Sequence, residues 1–261
     1  MNTTRFLLLV LLCCEFASAQ VDDKDAPWSA SAGLRFMNRY TSYGVDLSND
    51  QPALAPSFAL DHDGGFNAGF ESIVTMGSNG GLQRWSISAG YELSVSNVLS
   101  LSADFTHYRY QNDTANVLAG LSNSISLSAD MEFEVVSLSA NVHQYLGDLG
   151  ATYFGFDASG FVEFGDLMIV PLAQITFVSQ EVSISRTKPG GMGRKSGPTS
   201  SSTVTLTGIS SMSLHAIAVY PLAEGLSITI HPAIVYSPKA EVSTRSTQFA
   251  FSLGARYSFP F

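Results

Sequence analysis

The sequence contains almost no cysteine, which removes one common source of stability for an exported protein. Its only two cysteines are Cys13 and Cys14, near the start of the chain. A lipoprotein site there is disfavoured, because Leu11 and Leu12 occupy positions where small residues are usual. Without these cysteines a mature chain can form no disulfide, so its stability must come from backbone pairing or from a core.

Charged residues and long apolar runs are also scarce. Charged residues make up 13% of the chain, about half the share in an average soluble domain. Beyond the start of the chain, no stretch offers the ~18 uninterrupted apolar residues of a membrane helix. The most apolar region, 214–236, is broken by two prolines, a glutamate and a histidine. The net charge of −9 disfavours nucleic-acid binding. The composition therefore favours a lipid-facing β structure over a soluble domain.

The first residues predict an export signal. Arg5 gives a positive start, residues 6–14 form an apolar segment, and residues 17–19 read Ala-Ser-Ala before Gln20. The apolar segment is too short for a spanning helix. We expect a cleaved signal peptide at 1–19, a short periplasmic lead-in at 20–27, and one outer-membrane domain at 28–261.

The end of the chain shows the pattern that the rest repeats. From Phe249 to Phe261 every second residue is apolar or aromatic, and the residues between them are mostly small or polar, with Arg256 among them. A strand directs alternate side chains to opposite faces. The segment therefore has one apolar face and one polar face, as in transmembrane barrels with lipid outside and a polar lumen inside.

Similar segments recur along the chain and predict an all-β, antiparallel up-and-down barrel of about twelve strands. The connections alternate in length. Longer polar stretches lie at 41–51, 77–81, 111–123, 147–150, 186–202 and 237–246. Between them, short turns are predicted at 61–65, 96–97, near Glu134, at 165–166 and at 221–225. Outer-membrane barrels have short periplasmic turns and longer outer loops. The register at 165–220 stays open, because a slip by one residue inverts the faces.

One segment resembles a known family. Residues 39–44 read Arg-Tyr-Thr-Ser-Tyr-Gly, and Ser48, Pro52, Ala53 and Ser57 follow. This segment resembles the opening of the TorF-type porins of Gram-negative bacteria. The motif positions are Arg39, Ser42, Gly44, Ser48, Pro52, Ala53 and Ser57. The sequence departs from the family at Tyr43, where Arg is frequent. The resemblance implies an outer-membrane channel of unassigned substrate with no catalytic residues to carry over.

Alternation also assigns charged side chains to the interior. The predicted pore-lining residues are Arg35, Arg39, Glu71, Arg84, Glu92, Asp104, Asp130, Glu132, Asp157, Glu163 and Arg256. An Arg or Lys facing lipid at mid-membrane would cost about 2–4 kcal/mol, which favours the inward assignment. These residues predict either a hydrated, solute-selective pore for small hydrophilic solutes or ions, or a barrel plugged by its own ion pairs. Twelve strands lie between small filled barrels and wide porins.

Two other classes of function stay open. A structural or adhesive surface barrel would fit the long loops, and some outer-membrane barrels are hydrolases. The histidines are His62, His107, His143, His215 and His231. Of these, His143 and His231 fall on or near the lumen face, but neither a G-x-S-x-G nor an H-E-x-x-H motif is present. We therefore predict no enzyme, no metal site and no cofactor.

The expected partners follow from the predicted location. They are outer-membrane lipids and lipopolysaccharide, and the barrel-assembly machinery, which would act through the last strand ending in Phe261. The loop at 186–202 carries four cations that could contact anionic lipopolysaccharide, although a plain solvated loop is the simpler reading. The sequence predicts no nucleic-acid partner and leaves the oligomeric state open.

Overall fold

A computed structural model describes residues 27–42, 45–46, 48, 50–77, 80–110, 121–147, 151–187, 199–238 and 247–260. The predicted signal peptide, most of the lead-in, Gly44 and Phe261 lie outside the described residues. Within the described ranges, no helix is long and apolar enough to cross a membrane.

The fold is all β and has twelve barrel strands, numbered here in chain order. They are β1 Trp28–Met37, β2 Ala53–His62, β3 Phe66–Thr75, β4 Gly81–Ser94, β5 Leu99–Tyr110, β6 Leu121–Glu132, β7 Val136–Gly147, β8 Ala151–Gly160, β9 Leu167–Thr187, β10 Thr199–Ala223, β11 Leu226–Tyr236 and β12 Thr247–Pro260. A short strand, Val162–Phe164, continues β8 alongside β9. Two-residue strands at Thr41–Ser42 and Val45–Asp46 form a small hairpin in the first long loop.

The strands close into an antiparallel ring. Each strand pairs with its neighbour in sequence, and β1 pairs with β12. That seam runs from the pair Ser29 and Pro260 to the pair Met37 and Ser252. Closure leaves no unpaired sheet edge, which a spanning β structure requires because lipid cannot satisfy backbone polar groups. The predicted pairing of the last strand with the first is confirmed.

The predicted alternation of short and long connections is present in part: long connections lie at 38–52, 111–120, 188–198 and 237–246, but the one predicted after β7 is only 148–150, shorter than 161–166 between β8 and β9. The short turns all lie at one end of the barrel, and three of them use a glycine with positive φ: Gly65 at 91°, Gly165 at 61° and Gly225 at 73°. At Gly65 a side chain would also collide with the carbonyl of Glu92, whose N–H donates to the Gly65 carbonyl at 2.8 Å. Glycine is needed there on both grounds.

The outer surface is apolar. Large hydrophobic side chains on alternate positions are exposed along the strands, as Leu34 and Phe36 on β1 and Phe154 and Phe156 on β8 illustrate. Near the end with short turns the outer face carries aromatic rings: the Trp28 ring contacts those of His62 and Phe66, and Tyr257 contacts Phe259. A tall apolar band with an aromatic girdle is the lipid-facing surface of an outer-membrane barrel.

Some strand ends differ from the sequence-based prediction. β9 ends at Thr187 and β10 begins at Thr199. The connection between them is therefore shorter than the predicted loop 186–202. β10 also continues through Pro221 to Ala223, where a turn was predicted. Strands of 21 and 25 residues exceed the ~9–11 needed to cross a bilayer. Their outer parts need no apolar face, so the polar Ser and Thr positions that suggested a loop are compatible with a strand.

Candidate functional site

The charged residues that the sequence assigned to the lumen are the candidates for a functional site. Ten of the eleven lie on barrel strands or on Val162–Phe164. Asp104, for example, sits between Ala103 and the exposed Phe105. Arg39 is different, because it follows the end of β1 and lies in the first long loop. That these side chains line a water-filled path stays a prediction.

An ion-pair network joins β1, β3 and β4 along one side of the interior. Glu71 accepts from Arg35 at 3.0 Å and from Arg84 at 2.7 Å, one arginine on each carboxylate oxygen. The Arg84 side chain is 11% exposed, whereas that of Arg35 is 44% exposed. One carboxylate shared by two guanidinium groups leaves a net positive charge on this wall. Because Arg35 is the more exposed partner, that charge faces the lumen.

Arg84 also anchors the first long loop inside the barrel. Its guanidinium carbon lies 5.2 Å from the ring centroids of both Tyr40 and Tyr108, which is within cation–π range. Tyr40 belongs to the loop, and it is buried in a cluster with Met37, Ala53, Ala55 and Ile73. The loop therefore folds against the inner wall at the end of the barrel that carries the long loops.

The TorF-like segment forms this inward loop. The Tyr40 N–H donates to Ser48 Oγ at 2.9 Å, and Arg39 pairs with Asp50 at 2.9 Å. Ala53 begins β2, and Ser57 lies further down that strand beside Gly33. Ser42 lies in the small hairpin and Pro52 comes directly before β2. The motif positions that the structure describes thus shape the loop and its return into the wall.

Three tyrosines continue the packing around the interior at the same end. The Tyr145 ring centroid lies 5.8 Å from those of Tyr108 and Tyr153, and 4.6 Å from that of His143. All three tyrosines are buried, between 3% and 8% exposed. Sequence alternation places these residues on the interior face, but it does not show that their rings meet across three strands.

Exposure of the interior face changes along the barrel axis. On β5, β7 and β11 the interior positions near the long loops are buried, whereas those towards the short turns are partly exposed. On β12 the change runs from Gln248, which is 4% exposed, to the exposed Arg256. The interior side chains are therefore packed more closely near the long loops than towards the short turns.

Carboxylates occupy the wall opposite the exposed arginines. Asp130 on β6 and Asp157 on β8 both pair with Ser139 of β7, so they flank one position. Asp104 on β5 lies on the same acidic wall, closer to the end of the barrel with the long loops than Asp130. Hydrogen bonds orient two of these groups: Ser128 Oγ donates to Asp130 at 2.7 Å, and Asn141 Nδ2 donates to Asp157 at 3.2 Å. Among the described residues, none of the three aspartates has a salt bridge.

Two histidines that the sequence did not connect lie together in the interior. His215 Nδ1 and His231 Nε2 are 2.7 Å apart, and His215 Nε2 is 2.7 Å from Ser213 Oγ. The β10–β11 hairpin sets this neighbourhood, because it pairs His215 with Ala233, two residues from His231. The turn that the sequence predicts at 221–225 implies that β10 and β11 pair, and this pairing is the signal that could have placed the two histidines together. His107 faces outwards beside Trp85, as predicted.

No group of three or more His, Cys, Asp or Glu residues that could hold a metal ion occurs in the part of the chain that the structure describes. The His215–His231 pair is instead satisfied by its own hydrogen bonds.

Removing the anchor of the inward loop should destabilise the barrel. We expect Arg84→Gln to lower the free energy of unfolding by about 1–2 kcal/mol, because it removes a mostly buried ion pair and two cation–π contacts. Urea unfolding in liposomes would measure the change. Arg109→Gln is the matched control, since Arg109 lies on the outer face opposite Trp85. Equal stability of the two variants would contradict the anchoring role of Arg84.

Comparison with known proteins finds one family and a set of solved structures. The profile of a family described as "Bacterial protein of unknown function (Gcw_chp)" matches residues 21–185. No curated protein matches the sequence. The solved KdgM porin is similar in structure, with 12% identity and a TM-score of 0.54, over 88% of this chain and 99% of that one.

Two other solved structures show the same architecture. The NanC porin has 8% identity and a TM-score of 0.51, over 87% of this chain and 98% of its own. An outer membrane channel from Pseudomonas putida F1 has 13% identity and a TM-score of 0.51, over 92% and 100%. At these identities the similarity shows a shared fold, the closed antiparallel barrel of outer-membrane porins, and not a shared solute.

Proposed function

Given that the chain belongs to the Gcw_chp family, we propose that it is an outer-membrane channel for the passive passage of small hydrophilic solutes and ions. The observation that carries this proposal is the division of the barrel into two faces. The outer face is apolar, and the other face of the strands carries charged side chains that become more exposed towards the short turns. The TorF-type porin assignment of residues 39–57 is part of the same proposal.

The charge of the interior favours cations over anions. Seven carboxylates and four arginines make up the set assigned to the lumen. Two of the arginines, Arg35 and Arg84, share Glu71, and Arg39 pairs with Asp50. Three aspartates on the facing wall have no such partner among the described residues. Rings of carboxylates select cations in channels, so we expect a modest preference for small cations.

Single-channel recording in planar bilayers tests the proposal. The refolded protein should give discrete current steps in KCl, of small amplitude because interior side chains near the long loops are closely packed. A barrel that folds, as shown by heat-modifiable gel mobility, but gives no current would contradict the channel. That outcome would favour a plugged, structural or adhesive barrel.

A hydrolase is less well supported, although the contacts among Ser213, His215 and His231 resemble a proton relay. Ser213 is paired with Gln174 on one side and with Val235 on the other. Its own backbone N–H group is therefore engaged in the sheet. Acyl transfer needs donors aimed at the developing oxyanion, and the paired N–H group of Ser213 cannot serve as one.

The location and partners belong to the same proposal. Export with cleavage near Ala19 would deliver the chain to the periplasm. Its apolar band and aromatic girdle fit the outer membrane, where the long loops would meet lipopolysaccharide. The last strand, β12, would present its alternating face to the barrel-assembly machinery.

A further inference from the structure

The lumen has two walls of opposite charge. In a ring of twelve strands, β7 lies opposite β1. The strands that flank β7 carry Asp130 and Asp157, and Asp104 lies one strand further on. The opposite wall carries Arg35 on β1 and Arg256 on β12. Positive and negative charges are therefore separated across the width of the interior, and the net charge of the interior is negative.

The two arginines present positive charge to the lumen. Arg35 shares its carboxylate partner with Arg84, so the group as a whole keeps one positive charge. Arg256 donates to Ser31 Oγ at 2.8 Å, and it has no salt bridge within the described part of the chain. The Arg35 side chain is 44% exposed and Arg256 is also exposed, so a solute in the lumen could reach both.

Interior glycines keep the polar side chains close to the wall. Five glycines on the interior face each pair across the ladder with a polar residue. The pairs are Gly33 with Ser57, Gly69 with Ser88, Gly90 with Asp104, Gly155 with Asn141, and Gly254 with Arg35. A side chain on Gly90 would collide with the Asp104 carboxylate, and one on Gly155 would collide with Asn141. The missing side chains therefore make room for the polar and charged groups beside the wall.

We propose that this polarised lumen selects small zwitterions, such as free amino acids, over uncharged solutes of the same size. The inference rests on the proposed channel function. A zwitterion has no net charge, so the negative sum of the lumen does not exclude it. Its ammonium group can face the three aspartates while its carboxylate faces Arg35 and Arg256. Each charge then lies towards a wall of opposite sign, an arrangement that a neutral amide cannot use.

A pair of isomers tests the inference. L-alanine and lactamide have the same atoms and nearly the same size, but only alanine is a zwitterion. Proteoliposomes containing the full chain are diluted into isotonic solutions of either solute at low ionic strength, and swelling is followed by light scattering. After subtraction of the rate in protein-free liposomes, alanine should enter about threefold faster than lactamide.

Variants connect the preference to the two walls. The double variant Arg35→Gln/Arg256→Gln and the triple variant Asp104→Asn/Asp130→Asn/Asp157→Asn should each bring the ratio of rates to about one, because either change removes the opposed charges. Arg109→Gln removes a positive charge from the outer face and should leave the ratio unchanged. Heat-modifiable mobility confirms that each variant has folded.

The outcomes separate this inference from the channel proposal. If neither isomer enters faster than in protein-free liposomes, the channel itself is wrong. If both enter at equal rates, the channel stands and the zwitterion preference is overturned. A preference that survives both variants would overturn the assignment to Arg35, Arg256 and the three aspartates.

Discussion

Replacing Asp104, Asp130 and Asp157 with asparagine should abolish the channel's preference for cations. We expect the K⁺/Cl⁻ permeability ratio to fall from about five to about one. A unit charge on the wall and an ion ~4 Å away in water interact by ~1 kcal/mol, which corresponds to about a fivefold preference. The change removes three of the seven carboxylates assigned to the lumen and leaves four, against three arginines on the strands and Arg39, which pairs with Asp50 in the first loop. The reversal potential across a KCl gradient in planar bilayers would measure the ratio.

A matched control removes the same charge from outside the lumen. Asp63→Asn/Asp166→Asn/Glu224→Gln neutralises three exposed carboxylates in the short turns. This variant should keep the wild-type ratio, because turn charges are screened by salt over about 10 Å. If the turn variant and the lumen variant shift the reversal potential equally, the selectivity does not originate on the wall formed by β5, β6 and β8.

An arginine on the outer face should destabilise the barrel strongly. Leu127 lies in the middle of β6 and is 55% exposed on the apolar surface. We expect Leu127→Arg to lower the free energy of unfolding by about 2–4 kcal/mol, the cost of a cationic side chain at the bilayer midplane. Urea unfolding in liposomes, followed by tryptophan fluorescence, would measure the loss.

The adjacent residue provides the control for this prediction. Ser128 faces the interior, where its hydroxyl contacts Ser102 and Asp130. Ser128→Arg places the same charge one residue away, on the polar face beside a carboxylate. It should cost well under half as much stability as Leu127→Arg. Similar losses for the two variants would contradict the assignment of the faces of β6.

Much of the fold was predictable because a transmembrane barrel repeats one simple pattern. Alternation with a period of two assigns the faces, and it located β12 and its pairing with β1 from the sequence alone. The strand ends around 186–202 were not predictable on the same basis. Outside the membrane both faces of a strand meet water, so a Ser- and Thr-rich strand there resembles a loop in sequence.

The site was predictable in part. Alternation named the side chains on the interior face, but the contacts between strands depend on register and on loops that fold inwards. The sharing of Glu71 by Arg35 and Arg84 joins three strands. The position of Tyr40 over Arg84 depends on how the first long loop returns into the lumen. Neither contact follows from the local pattern of one strand.

The most direct test of a water-filled lumen uses single cysteines on neighbouring positions of β5. Ser102 faces the interior and Ala103 faces outwards. The mature chain predicted from the sequence has no cysteine of its own. In planar bilayers, a negatively charged, water-soluble thiosulfonate should change the current through Ser102→Cys and leave the current through Ala103→Cys unchanged. Equal effects on both variants, or no effect on Ser102→Cys, would contradict a conducting path through the interior.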